Sequence, residues 1–408
     1  MACAASQGPA PDPVAVLRAH RAAVHAVAFH TPSNTLLSGD ADGELKVWDL
    51  VKHRPVFSSR VHTPSAGVLG IGVSSALENK ILSQGRDGTV KCWQLTDSSL
   101  SRQPILTIKS ESYHFCKLAV AGHAAANDEP CEDDRGGVGQ VLMAMAGNDT
   151  SKIEIWDIAS GQSVQLLSPK DSSVGMCMSL HMTLQSERGD PCTVVAGFVF
   201  LTQFFVSRFH PLHALSLALI MIVKTGRYRQ KTTSIYNTRL FHKRRSWFLM
   251  AICSRYEDGS VLMWDTRHAA APLLQTKQHK EPVLSLVLDR QGTGGISGSA
   301  DGQLTFFSLS YTESLFTPKK KFEGQAGVGD VALRGDDKIV ATAGWDHRVR
   351  IYDYRRRKPL AILKYHKEIV NGVDFSEDRR WLASGSKDST VALWSLYPPS
   401  NETPKCLE

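Results

Sequence analysis

SGDADGELKVWDL, residues 38–50, reads as an Asp-Gly hairpin turn followed by an alternating apolar strand that ends on Trp48. An Asp-Gly pair between two such runs is the strongest short-range hairpin signal a sequence offers. The pattern recurs as SQGRDGTVKCWQL (83–95), AGNDTSKIEIWDI (146–158), YEDGSVLMWDT (256–266), SGSADGQLTFFSL (297–309), TAGWDHRVRIYDY (342–354) and SGSKDSTVALWSL (384–396). The aromatic slot therefore holds Trp48, Trp93, Trp156, Trp264, Phe307, Tyr352 and Trp394, at spacings of 45, 63, 108, 43, 45 and 42 residues. Four of the six spacings fall on one period, and the two exceptions are long, as insertions would make them.

A second regularity runs upstream of the aromatic. An Asp stands six residues before it in six units (Asp42, Asp87, Asp258, Asp301, Asp346, Asp388) and seven before it at Asp149. Four residues earlier comes a hydroxyl in five units (Ser38, Ser83, Ser297, Thr342, Ser384), and 22 or 25 before the Asp a His in four (His20, His62, His279, His366). These groups can satisfy one another: the carboxylate accepts from the imidazole, the imidazole meets the hydroxyl, and the hydroxyl meets the indole N–H. Complete sets are expected at His20, Ser38, Asp42 and Trp48, at His62, Ser83, Asp87 and Trp93, and at His366, Ser384, Asp388 and Trp394. The fifth and sixth units, with Phe307 and Tyr352, and the third, with no evident His, should be less tightly tied.

These sets resemble the structural tetrad of WD40 repeats, over residues 14 to 397, and the chain is similar to the branch of guanine nucleotide-binding protein β-subunit-like proteins. The resemblance implies an all-β fold, a seven-bladed β-propeller over 13–397. Template strands in the last unit are IVNGVDF, WLASGS and TVALWSL, which leaves its outer strand missing; PVAVLRA (13–19) precedes His20 as an outer strand would. The N-terminal strand is therefore expected to close the ring and remove a free sheet edge. The resemblance further implies a non-enzymatic protein-interaction scaffold, linked to chaperone-assisted maturation of phosphatidylinositol-3-kinase-related kinases and to DNA-damage signalling. Such a scaffold would be a monomer within heteromeric complexes. No Gγ partner is expected, because only about a dozen Pro/Ala-rich residues precede the first repeat, where true β subunits carry a long helix that coils with γ.

Composition points the same way. The eight cysteines form no C-x-x-C pair and have no His at zinc spacing, so they read as reduced thiols rather than metal ligands. No signal-peptide pattern begins the chain, so cytoplasmic or nuclear residence is expected. There is no phosphate-binding loop, G-x-S-x-G or H-E-x-x-H, hence no carrier for catalysis and no expected cofactor. The repeated His/Ser/Asp sets superficially resemble a hydrolase triad, but catalysis needs one site and these recur in several units. Residues 1–12 and 398–408 read as flexible tails, and 122–137 as an acidic, Gly-rich surface loop in the third blade.

Residues 198–255, in the fourth unit, stand apart. They carry ten Lys or Arg and no Asp or Glu, whereas the other 350 residues carry 37 basic and 40 acidic side chains. Removing them joins VVAG to YEDGSVLMWD and restores a regular hairpin. Phe209–Val223 suggests a membrane tether, the alternative to a purely soluble scaffold, but the run is short of the roughly 20 residues needed to span a bilayer and contains Pro211. Lys224–Arg245 with interleaved aromatics suggests a nucleic-acid arm, but an apolar, acid-free segment makes a poor solvated arm, and no nucleic-acid partner is expected. Translated non-coding sequence, not native to the fold, accounts for all of these features.

Partner-binding residues are sought in the turn between second and third strands, which opens on the narrow face of a propeller. The position before the turn Asp reads Ala41, Arg86, Asn148, Glu257, Ala300, Trp345 and Lys387. Trp345 is the expected anchor, with Arg86 and Lys387 beside it, because an indole in a solvent-facing turn suits an interface. The competing reading is local packing of Trp345 and plain solvation of the two charges.

Overall fold

The computed structural model describes residues 11–30, 35–96, 99–110, 113, 115–122, 141–169, 175–186, 248–265, 270–310, 315–323 and 326–397. Their strands pair into four-stranded antiparallel sheets, taken here from the inner to the outer strand. Sheet 1 is Val24–His30, Thr35–Asp40, Glu44–Asp49 and Arg54–Arg60; sheet 2 is Val68–Gly72, Lys80–Gly85, Thr89–Gln94 and Leu106–Lys109. Sheet 3 is Ala119–Gly122, Val141–Ala146, Ile153–Asp157 and Gln162–Leu167; sheet 4 is Cys177–Ser186, Phe248–Tyr256, Ser260–Asp265 and Leu274–Lys277. Sheet 5 is Val283–Leu288, Gly294–Ser299, Leu304–Ser310 and Leu315–Phe322; sheet 6 is Val328–Leu333, Ile339–Gly344, Arg348–Asp353 and Lys358–Lys364. Sheet 7 is Val370–Phe375, Trp381–Ser386 and Val391–Ser395, with Ala15–Leu17 in the outer place, paired antiparallel to Val391–Leu393.

Two devices repeat because the sequence repeats. After the turn Asp the backbone enters the left-handed region at Gly43, Gly88, Gly259 and Gly302, and at His347 and Ser389 in the last two turns. A Cβ at Gly43 would collide with the carbonyl oxygen of His62, so only glycine fits there. The pairing of inner with second strand slips by one residue at the same place in sheets 1, 2, 5, 6 and 7, leaving His25, Leu69, Leu284, Gly329 and Asn371 as bulge residues. Such bulges sharpen the strand twist.

The buried apolar side chains lie between sheets. Leu36 and Trp48 pack with Leu393, Val47 with Ile81 and Trp93, and Cys92 with Met143. Ile155 packs with Trp264, Met263 with Phe307, Phe306 with Tyr352, and Ile351 with Trp394. Each cluster joins two consecutive sheets, the last with the first. This is a β-propeller, in which every sheet buries both faces against its neighbours.

Of the segment set aside as 198–255, Phe248 to Arg255 belong to the second strand of sheet 4, with Arg255 opposite Val261. The sequence misplaced this boundary because VVAG and FLMAICSR both read as apolar strands able to precede the turn. The tails 1–10 and 398–408, the acidic loop beyond Gly122 and positions 198–247 lie outside the described residues. Among the described residues no helix is long and apolar enough to cross a membrane.

Candidate functional site

The repeated polar sets come together inside the sheets. In sheet 7, His366 Nδ1 lies 3.0 Å from Asp388 Oδ2, its Nε2 2.8 Å from Ser384 Oγ, and Trp394 Nε1 donates to that hydroxyl at 3.0 Å. In sheet 2, Ser83 Oγ meets both His62 Nε2 and Trp93 Nε1 at 2.9 Å, while Asp87 reaches the other imidazole nitrogen through Thr89.

Sheet 1 departs from expectation. The carboxylate on His20 is Asp40, 2.7 Å from Nδ1, not Asp42, which is exposed and whose backbone N–H donates to Asp40. Asp40 ends its strand fully buried, where sheets 2, 5 and 7 have Gly85, Ser299 and Ser386, so it reaches the imidazole directly. Burial alone would raise its pKa, but the hydrogen bonds from His20, Glu44 and Asp42 hold it below the usual value. Ser38 and Trp48 complete the set at 2.6 and 2.7 Å. Glu44 also comes near, but it is engaged by Lys46 and His20 by Asp40, so these donors are committed to structure rather than to a metal.

In sheet 5, His279, Ser297 and Asp301 meet without an indole. In sheet 6, Arg350 replaces the histidine, gripping Asp346 with two bonds of 2.9 and 2.6 Å. In sheet 3 the indole of Trp156 donates to Glu154 instead.

The slot before the turn Asp is a structural register in six of the seven units; in the third, Asn148 N–H donates to Glu154 instead. The backbone N–H of Ala41, Arg86, Glu257, Ala300, Trp345 and Lys387 each donates to the loop just before an inner strand, at Ala23, Ala66, Met176, Pro282, Gly327 and Ile369. Lys387 is exposed. Trp345, 40% exposed, lies with its ring against Gly327 and Gly329. Arg86 is half-buried, its guanidinium 5.7 Å above the ring of Phe115, which stands edge-on to Tyr113. Phe115 and Tyr113 escaped sequence reasoning because they lie in an irregular loop with no period.

Between the inner strands runs a polar cavity lined by Ala26–Ala28, Gly70–Val73, Lys117, Asp330 and Asp374. Lys117 spans it to Asp330 at 2.9 Å. Asp374 accepts from the backbone of Phe29 and Phe375, yet burial pushes its pKa up to about 7. His25 is held down to about 4 by burial and by the charges of Arg86 and Lys117, and His62 to about 4 by burial and Lys91.

The two imidazoles take up protons in the unfolded chain below about 6.5 but not in the fold, so their stabilisation is complete above that pH and is lost toward 4. Asp374 works oppositely, being protonated in the fold but not in the unfolded chain over the same window. For these three groups the net is one proton, roughly 3 kcal/mol lost between pH 6.5 and 4. Asp374→Asn removes the opposing group and should steepen the fall of Tm across that range. An unchanged slope would mean that Asp374 is solvated.

The WD domain, G-beta repeat family matches residues 11–49, 316–353 and 357–395. The chain is 30% identical to guanine nucleotide-binding protein subunit beta-like protein 1 of Mus musculus, over 96% of this chain and 98% of the relative. It is 28% identical to ASTRA-associated protein 1 of Schizosaccharomyces japonicus and 25% to that of Schizosaccharomyces pombe, each over 95% of this chain and 99% of the relative. With this coverage, and with tetrads closed in the first, second and last repeats, the chain belongs to the WD40-repeat family of guanine nucleotide-binding protein subunit beta-like protein 1.

Proposed function

We propose that the chain is a non-enzymatic scaffold, a seven-bladed ring closed by its N-terminal strand, that docks protein partners on its narrow face. The relatives named for association with ASTRA support a place in a multiprotein assembly. The resemblance extends this to the chaperone complex that matures phosphatidylinositol-3-kinase-related kinases, in the cytoplasm or nucleus, with the chain as a single subunit. The polar sets support the non-enzymatic reading, since their imidazoles are spent on buried serines rather than offered to a substrate.

The observation that carries the docking surface is Trp345, an indole 40% exposed in a turn. Large aromatics in such settings act as interface anchors. Trp345→Ala should reduce recovery of the kinase-maturation subunits by an amount equivalent to about 1 kcal/mol or more, and Lys387→Ala by less, with Tm nearly unchanged. Lower Tm with undiminished recovery would make Trp345 a packing residue and end the claim.

A further inference from the structure

Arg86 is unusual among the cations of the narrow face. It is half-buried and stacked on Phe115, yet among the described residues its side chain makes no hydrogen bond or ion pair, and its Nε is shut away from solvent without a partner. Sheet 6 shows the ordinary solution, where Arg350 is met by Asp346 through two bonds. A guanidinium taken partly out of water with no compensating anion is costly, so an anion supplied from outside would be gained at full value. Beside it, Phe115 and Tyr113 are 47% and 54% exposed, a large apolar surface to leave in water. Lys117, two residues beyond Phe115, is already committed to Asp330.

We propose that Arg86, walled by Phe115 and Tyr113, is the receptor for a single carboxylate on a short acidic segment of a partner protein. The inference rests on the narrow face being the docking surface and adds the chemistry of what docks. One free guanidinium matches one carboxylate through a bidentate pair. A phosphate dianion would call for a second free cation, and the neighbouring turn side chain is instead the exposed carboxylate of Asp87. The same negative charge disfavours a nucleic-acid backbone. The apolar walls suit an aliphatic or aromatic residue beside the acid, and they lower the local dielectric in which the pair would form.

The test uses the full chain and three fluorescein-labelled pools of random nonapeptides whose central residue is fixed as Glu, Gln or phosphoserine. By fluorescence anisotropy the Glu pool should bind at least tenfold more tightly than the Gln pool. Arg86→Gln should erase that preference with Tm unchanged, and Arg86→Lys, which keeps the charge but not the fork, should retain part of it. Equal binding of the Glu and Gln pools, a preference that survives Arg86→Gln, or a stronger preference for phosphoserine would each overturn the assignment. Recovery of native partners separates the two levels. If Trp345→Ala loses them and Arg86→Gln does not, the carboxylate receptor is wrong and the scaffold stands; if neither loses them, the docking face itself is wrong.

Discussion

Ser38→Ala should cost the fold about 2–4 kcal/mol, because it strands two buried groups at once. Ser38 is fully buried and its hydroxyl lies 2.6 Å from His20 Nε2 and 2.7 Å from Trp48 Nε1. Without it neither ring nitrogen has another acceptor or donor in reach, and no water can replace a hydroxyl in a site this closed. Asp40→Ala should cost a similar amount, since it takes away the partner of His20 Nδ1 and the acceptor of the backbone N–H groups of Asp42 and Glu44. Asp42→Ala, by contrast, changes an exposed side chain and should stay within about 0.5 kcal/mol of the parent. At an unfolding entropy of roughly 2.1 cal/mol/K per residue, a chain of this length shifts by only about 1–1.5 °C per kcal/mol, so calorimetry should separate the first two from the third by about 2–5 °C. Melting of the Asp42 variant with that of Asp40 would refute the assignment.

That contrast shows where the sequence could and could not be read. The period, the turn and the aromatic slot are legible because each places a rare residue type, Trp or Asp-Gly, where no other fits. The identity of the carboxylate in sheet 1 is not legible, because SGDADG offers two and the offset shared by the other repeats selects the wrong one. Position 40 ends a strand, and its side chain there points at the imidazole. Arg350 is illegible for a related reason: the other repeats place the compensating cation upstream as a histidine, whereas here it stands four residues after Asp346. The pair of Lys117 and Asp330, 213 positions apart, has no spacing to betray it. Arg86 was visible as a slot residue, but its stacking on Phe115, and with it the difference from a solvated charge such as Lys387, is a property of packing alone.

The largest loss is expected from removing residues 1–19. Ala15–Leu17 pairs with Val391–Leu393, the backbone N–H of Val14 adds a bond to Leu393, and Arg18 reaches the hydroxyl of Tyr365. Leu17 is 1% exposed and packs in the cluster that joins Leu36 and Trp48 of sheet 1 to Leu393 of sheet 7. Deletion therefore subtracts a buried leucine and also bares the edge of Val391–Ser395, a row of unpaired N–H and C=O groups open to pairing with another chain. It also severs the backbone pairing between the two ends of a long chain, which leaves the first and last sheets held by the packing of Leu36 and Trp48 against Leu393 and by the bonds from Phe29 N–H to Asp374 and from Asn371 to the carbonyl of Val24. The two contributions can be told apart. Leu17→Ala keeps the backbone pairing and should cost about 2–4 kcal/mol, as buried leucine truncations do, with a cooperative melt and no aggregation. Removal of residues 1–12 alone leaves the strand in place and should be neutral. Removal of 1–19 should lower Tm further than Leu17→Ala and make light scattering rise with protein concentration, because only there is the strand edge exposed. If the 1–19 deletion melts like Leu17→Ala and stays monodisperse, the strand adds a side chain to the core but does not close the ring.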